Sequence, residues 1–493
     1  MKISMIARRT LTQISNICSS NRFLWLTIGF FVIESAWVAT SFRFPMLFDE
    51  QYHLKAIEYF AHHLSPLAIH QAPQYDMYGN MAFSNASLYH YLMSFPYRLI
   101  VHFTTNFQVL ITALRMINIL LAAAGLWIYA KLLHEIGVRR VFINLSIFFY
   151  SIIPIVIFVS ATISYDNLLL PLTAYFFLIG SRIIQAKKKP DSYAYIKFLL
   201  VGMLACLVKF SFLPIFAFGV GYIVVFSYRK YGKSLFWELV HNFKISSHSR
   251  YALATLAILV SLLFTARFVY PTIVYRTPMP DCSRVMTYSR CLKGGVYYGK
   301  EQAIKTKSTR VGIPIESFAQ YWAASMASQL DISAANTGTK ISFGRVLPIL
   351  SSFMTISIFV GITALLYMWR SLRKTESWNF LMILVIGFLG FLFLFNATAY
   401  YSANSDLNTQ TRYALSLYPL CMAMAFTAIN QLMGRSSTIK LALLVLILFL
   451  CTQGAGDIKH IVTSSSDWYW SQNGFVDHIN SNIRSLIGPF VKG

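Results

Sequence analysis

Stretch after stretch of nearly unbroken apolar residues, each about as long as a bilayer is thick, limits what this chain can fold into. Eleven such stretches stand at 23–41, 109–130, 142–161, 167–184, 195–211, 213–228, 251–270, 347–369, 378–399, 412–431 and 438–452. A helix crosses hydrocarbon with roughly 20 apolar residues. Only helices or closed barrels satisfy every backbone polar group there. The pattern predicts an all-α polytopic membrane protein with about eleven transmembrane helices. Charged residues are 12% of the 493, and hydrophobic ones 56%; a soluble domain carries about 25% charged. Residues 1–22 are polar and basic, and the run from Phe23 to Thr40 is longer than a signal h-region, so it is expected to be a retained first helix.

The net charge of +24 would suggest nucleic acid in a soluble protein. Here Lys and Arg gather in alternate short connectors: Lys131, Arg139 and Arg140; Lys187, Lys188 and Lys189; Arg370, Arg373 and Lys374. The connectors between them, 162–166 and 400–411, contain neither. The positive-inside rule accounts for that contrast, so no nucleic-acid partner is expected. The amino terminus is expected in the cytoplasm and the carboxyl terminus outside. Residues 1–452 then form the membrane domain, with outer loops at 42–108 and 271–346, and 453–493 an outer tail. Residues 87–103 are apolar but hold His90, Pro96, Arg98 and His102, and are expected to form an interfacial or re-entrant helix. An outer location is oxidising, and Cys282 and Cys291 share a polar loop, so they are candidates for a disulfide.

The chain has only 18 carboxylates, and charge in or beside hydrocarbon is costly unless paired or useful. Asp49 and Glu50 follow the first span, and in a helix His53 would lie one turn from Asp49. Such a set could deprotonate an acceptor hydroxyl or hold a divalent cation; equally, Asp49 could be an N-cap and Glu50 a first-turn residue. Asp166 and Asn167 occupy a short outer turn, on the face where Asp49 emerges. Together Asp49 and Asp166 could bind a metal or a sugar, or Asp166 could simply cap a helix. Lys209, near the outer end of an apolar helix, either snorkels or meets a phosphate. Arg115 raises the same question. Arg412, before Tyr413, stands at an outer helix amino terminus against the dipole, which calls for an anionic partner such as Asp406 or a substrate.

In order and type these residues resemble the polyprenyl-phosphate-dependent glycosyltransferases of the GT-C fold, closest to bacterial relatives of the aminoarabinose and protein mannosyl transferases. The resemblance rests on Asp49-Glu50, Leu88-Tyr89-His90-Tyr91, Ala113-Leu114-Arg115, Asp166-Asn167, Val208-Lys209-Phe210 and Arg412-Tyr413. It implies an inner-membrane enzyme that passes a sugar from a lipid phosphate to a lipid, glycan or protein acceptor at the periplasmic face. It also implies that Asp49 serves the acceptor or a metal, and that Lys209 and Arg412 hold the phosphate. The chain departs from the pattern at Asn85-Ala86-Ser87, where Pro-Pro is usual, and at Gln410-Thr411-Arg412, where Gly is usual. A non-catalytic transporter or lipid-handling protein is the rival expectation. It would bring broken helices and paired half-repeats, and neither is visible in the sequence.

Overall fold

The computed structural model describes residues 2–46, 49–63, 65–67, 71–81, 86–232, 248–305, 314–335, 375–403, 411–432, 436–452, 468–470 and 474–491. The expected span at 347–369 lies outside the described residues. Among these residues the elements are helices: α1 (Lys2–Cys18), α2 (Asn21–Ser41), α3 (Glu50–Ala61), α4 (Leu88–Phe103), α5 (Phe107–Glu135), α6 (Arg140–Ser151), α7 (Pro154–Ser160), α8 (Asp166–Gln185), α9 (Ser192–Val208), α10 (Leu213–Tyr231), α11 (His248–Phe264), α12 (Gly295–Lys305), α13 (Ile315–Ala335), α14 (Glu376–Ala403), α15 (Tyr418–Leu432), α16 (Ser437–Thr452) and α17 (Gly474–Val491).

Seven helical segments among the described residues are long and apolar enough to cross a membrane: Asn21–Ser41, Phe107–Glu135, Asp166–Gln185, Phe210–Tyr231, His248–Tyr275, Glu376–Tyr401 and Tyr413–Gln431. The protein is therefore a polytopic helical membrane protein, but the count corrects the expected eleven. The stretch at 142–161 breaks into α6 and α7, which meet at 71° and make at most one further, broken span. Pro154 is the cause: it has no amide hydrogen, and it holds Ile153 in extended backbone with ψ 123°. The stretch at 195–211 forms a helix of only 17 residues, because Lys209 leaves helical geometry at φ −149°, ψ 123°. The last stretch forms a helix of 16 residues, Ser437–Thr452, shorter than the spanning segments.

Small residues let the spans approach. A Cβ on Gly125 of α5 would fall 2.7 Å from Leu170 Cγ and 3.0 Å from the Pro171 backbone nitrogen, so α5 and α8 touch almost backbone to backbone. Gly219 of α10 receives the Phe176 ring of α8, which stacks on Phe198 of α9 at 4.3 Å. This α5–α8–α9–α10 group fixes the α8 end of the turn that carries Asp166 and both sides of the junction that carries Lys209.

At one end of the bundle lie α3 and α4. Arg98 of α4 donates to the carbonyls of Phe60 and Ala61 at 2.8 Å and of His63 at 3.1 Å, closing the carboxyl end of α3. Helix α4 is not among the spanning helices and leaves Leu92, Phe95, Leu99 and Phe103 exposed, as an interfacial helix does. The tail returns to this same end. Arg43 N–H donates to the Trp468 carbonyl at 2.8 Å, and Trp37 Nε1 donates to Asn480 of α17 at 3.0 Å. The connectors 42–108 and 271–346 are also joined. Arg290 binds Asp76 through Nη2 to Oδ1 at 2.6 Å and Nε to Oδ2 at 2.9 Å, and Cys282 and Cys291 form a disulfide beside it.

Candidate functional site

Asp49 immediately precedes α3 with φ 63° and ψ 27°. That left-handed conformation is uncommon for a residue with a Cβ. Its side chain makes no capping hydrogen bond, so the cap reading of its carboxylate does not hold. One turn on, His53 N–H donates to the Asp49 carbonyl at 3.0 Å. Both residues line a cavity of about 630 Å³.

Glu50 points the other way. Arg115 donates Nε to Oε1 and Nη2 to Oε2, both at 2.8 Å, and both side chains are fully buried. The Met46 and Ile163 amides donate to the same carboxylate at 2.6 and 3.2 Å. Arg115 Nη1 also reaches the carbonyls of Phe42 at 2.6 Å and Ala39 at 2.9 Å. Two residues expected in the site are thus committed to each other and join α2, α3, α5 and the Ile163 turn. Neither lines the cavity; in this structure the two side chains bind each other and the backbone around them.

Lys209 sits between α9 and α10, not inside a helix. Its Nζ lies 2.5 Å from Asp166 Oδ1, with both side chains buried. The ammonium is also 4.8 Å from the ring centres of Tyr165 and Tyr413. Lys209, Tyr165 and Tyr413 all line the cavity that Asp49 lines. Asp166 stands behind Lys209. Asn167 is spent on the turn itself: its Nδ2 donates to the carbonyls of Val159 at 2.9 Å and Thr162 at 3.2 Å. The Arg412 side chain lies outside the described residues.

His90 was not singled out by sequence reasoning. Its Nε2 is 2.8 Å from His53 Nδ1, the rings stack at 5.2 Å, and both residues are buried in the cavity wall. Burial pushes the His90 imidazole down to about 3, against a backbone hydrogen bond at Ala86 that acts the other way. His90 is therefore neutral and exchanges one hydrogen bond with His53. Its signals in the sequence are the interruption of an apolar segment by a histidine and its place in Leu88-Tyr89-His90-Tyr91.

The remaining walls divide by chemistry. The connectors 42–108 and 271–346 contribute Tyr78 and Tyr297, and α14 contributes Phe388, Phe391 and Phe395. The cavity so joins an acidic mouth at Asp49, a paired cation at Lys209 and an aromatic wall on a spanning helix. Asp166 already faces an ammonium, and among the described residues no group of three His, Cys, Asp or Glu is arranged to hold a metal.

Compared with known families and with characterised proteins, the sequence matches no family model and no curated protein.

Proposed function

We propose that the protein transfers a sugar from a polyprenyl-phosphate donor to an acceptor at the membrane face where Asp49 lies. The observation that carries this reading is that Asp49 and Lys209 line one cavity whose third wall is aromatic and belongs to a spanning helix. A polyprenyl-phosphate sugar is an anion between a polar ring and an apolar chain. The chain lies along Phe388, Phe391 and Phe395, the phosphate faces Lys209, and the sugar projects toward Asp49 and His53.

As the glycosidic bond breaks, its electron pair leaves with the phosphate, and Lys209 stabilises the charge that develops there. Asp166 holds the Lys209 ammonium in place, and Tyr165 and Tyr413 flank it. Asp49 takes the proton of the acceptor hydroxyl as its oxygen attacks the anomeric carbon. No step requires a metal. The order of motifs along the sequence supports the same reading. The setting we propose is an inner membrane, with the amino terminus in the cytoplasm and Asp49 on the periplasmic side.

The test is to incubate purified full-length protein with a panel of radiolabelled polyprenyl-phosphate sugars and a membrane extract as acceptor source. Transfer from at least one donor, abolished in Asp49→Asn, is the expected result. Donor binding without transfer to any acceptor would overturn the enzymatic reading in favour of lipid handling. Reporters fused after Lys189 and after Lys300 test the sidedness: a cytoplasmic signal from the second removes the periplasmic site.

A further inference from the structure

A second cavity, of about 420 Å³, lies at the opposite end of α2 from Asp49. That is within the usual range of about 300–1,000 Å³ for small-molecule sites. It is bounded by α1, the start of α6, α15 and α16. Its walls are apolar, with Leu145, Phe426 and Leu444 among them, and its charged lining residues are Arg139 and Lys440. No carboxylate lines it among the described residues. Arg139 rests 4.6 Å from the Phe142 ring centre, which holds its guanidinium at the mouth, and Lys440 Nζ donates to Asn430 at 3.0 Å.

Helix α1 closes one side. Its sequence carries Lys2, Arg8 and Arg9 and no acidic residue, interleaved with Ile3, Ile6, Leu11 and Ile14. Such a helix lies in a membrane interface and favours anionic lipid. An apolar slot roofed by a basic amphipathic helix, with two cations at its rim, suits an amphiphile bearing a negative headgroup. A zwitterionic lipid supplies the chain but no net charge for the cations.

We propose that this groove is a binding site for one anionic glycerophospholipid, with an acyl chain among Leu145, Phe426 and Leu444 and the phosphate between Arg139 and Lys440. The site is independent of the proposed transfer reaction, and its test contains no sugar.

Detergent-solubilised full-length protein is titrated with phosphatidylglycerol and, separately, with phosphatidylcholine, and retained lipid is counted by native mass spectrometry. A cation near the headgroup favours an anionic lipid by about fivefold, so two favour it by about twenty-five-fold. Arg139→Gln with Lys440→Gln should abolish that preference, and Leu145→Trp should lower occupancy by both lipids. Removing a charge outside the groove, in Lys131→Gln, should leave the preference intact. Equal retention of the two lipids by the wild-type protein overturns the proposal without any variant. A preference that survives in a folded double variant also overturns it, by placing the anionic lipid elsewhere on the basic surface.

Discussion

The Lys209 ammonium and the Asp166 carboxylate, 43 residues apart in sequence, meet at 2.5 Å with almost no solvent between or around them. The cation offered to the cavity is therefore one half of a buried ion pair. Removing one partner of such a pair leaves an uncompensated buried charge, which costs about 3–5 kcal/mol.

Lys209→Met should accordingly lower the thermal unfolding midpoint as well as weaken donor binding. The loss of one charge-assisted phosphate contact corresponds to roughly tenfold to a hundredfold in affinity. Combining it with Asp166→Asn removes the stranded carboxylate, so the double variant should recover much of the stability and none of the donor affinity. Donor affinity that returns together with stability would mean that Lys209 has no direct contact with the donor.

Glu50 and Arg115 form the other buried pair, and nothing in their arrangement faces the cavity. Arg115→Met strands the Glu50 carboxylate and the carbonyls of Ala39 and Phe42. A stability loss of about 3–5 kcal/mol is expected, because the pair is fully desolvated. Differential scanning fluorimetry in detergent reads it directly. A variant with an unchanged midpoint but no transfer would return Arg115 to the catalytic machinery.

The contact between Asp76 and Arg290, which joins the two long connectors, should depend on acid. Hydrogen bonding to Arg290 holds the Asp76 carboxyl below its ordinary value of 3.8, against the effect of burial. A carboxyl depressed on folding contributes stability that is present above the unfolded value and lost as pH falls through the folded one. The tie between Asp76 and Arg290 should thus hold at neutral pH and through mild acid, and fail only below pH 3.8. Limited proteolysis across that range should show new cleavage near Tyr78 and Gly294 only at the acid end. In Arg290→Gln the same cleavage should appear at higher pH.

Which parts of this were legible in the sequence follows from the range of the interactions. Apolar runs and alternating basic connectors report local composition, so the polytopic helical class was readable. The one-turn spacing of Asp49 and His53 was also local, and both do line the cavity. Pairing was not local. Glu50 lies 65 residues from Arg115, and a sequence does not say which of two adjacent carboxylates turns inward. The eleven expected spans failed where one residue changed the backbone: Pro154 bends a stretch that hydropathy reads as continuous, and Lys209 ends a helix by adopting extended backbone. His90 carries no role in the sequence because its meaning depends on a partner on another helix, His53. The amphipathic helix α1 has a local signal in its spacing of Ile and Arg residues, which a reading of residues 1–22 as polar and basic passes over.

Asp49 allows the sharpest separation of catalysis from stability. Its φ of 63° is a left-handed conformation, which costs an ordinary residue about 1–2 kcal/mol and glycine almost nothing. Its side chain caps no helix, so removing the carboxylate removes no capping bond. Asp49→Gly should therefore leave the unfolding midpoint unchanged or slightly higher, since relief of strain offsets the added freedom of the unfolded chain. Transfer should be lost, while donor affinity, which depends on Lys209, should stay near wild type. Asp49→Asn tolerates the same backbone and should behave alike. Asp49→Glu keeps a charge but displaces it by one methylene, and should restore only a small fraction of the rate. The measurement is initial transfer rate against donor affinity for the three variants. Substantial transfer by Asp49→Gly would show that the acceptor is activated elsewhere in the cavity, with the His53–His90 pair the next group to change.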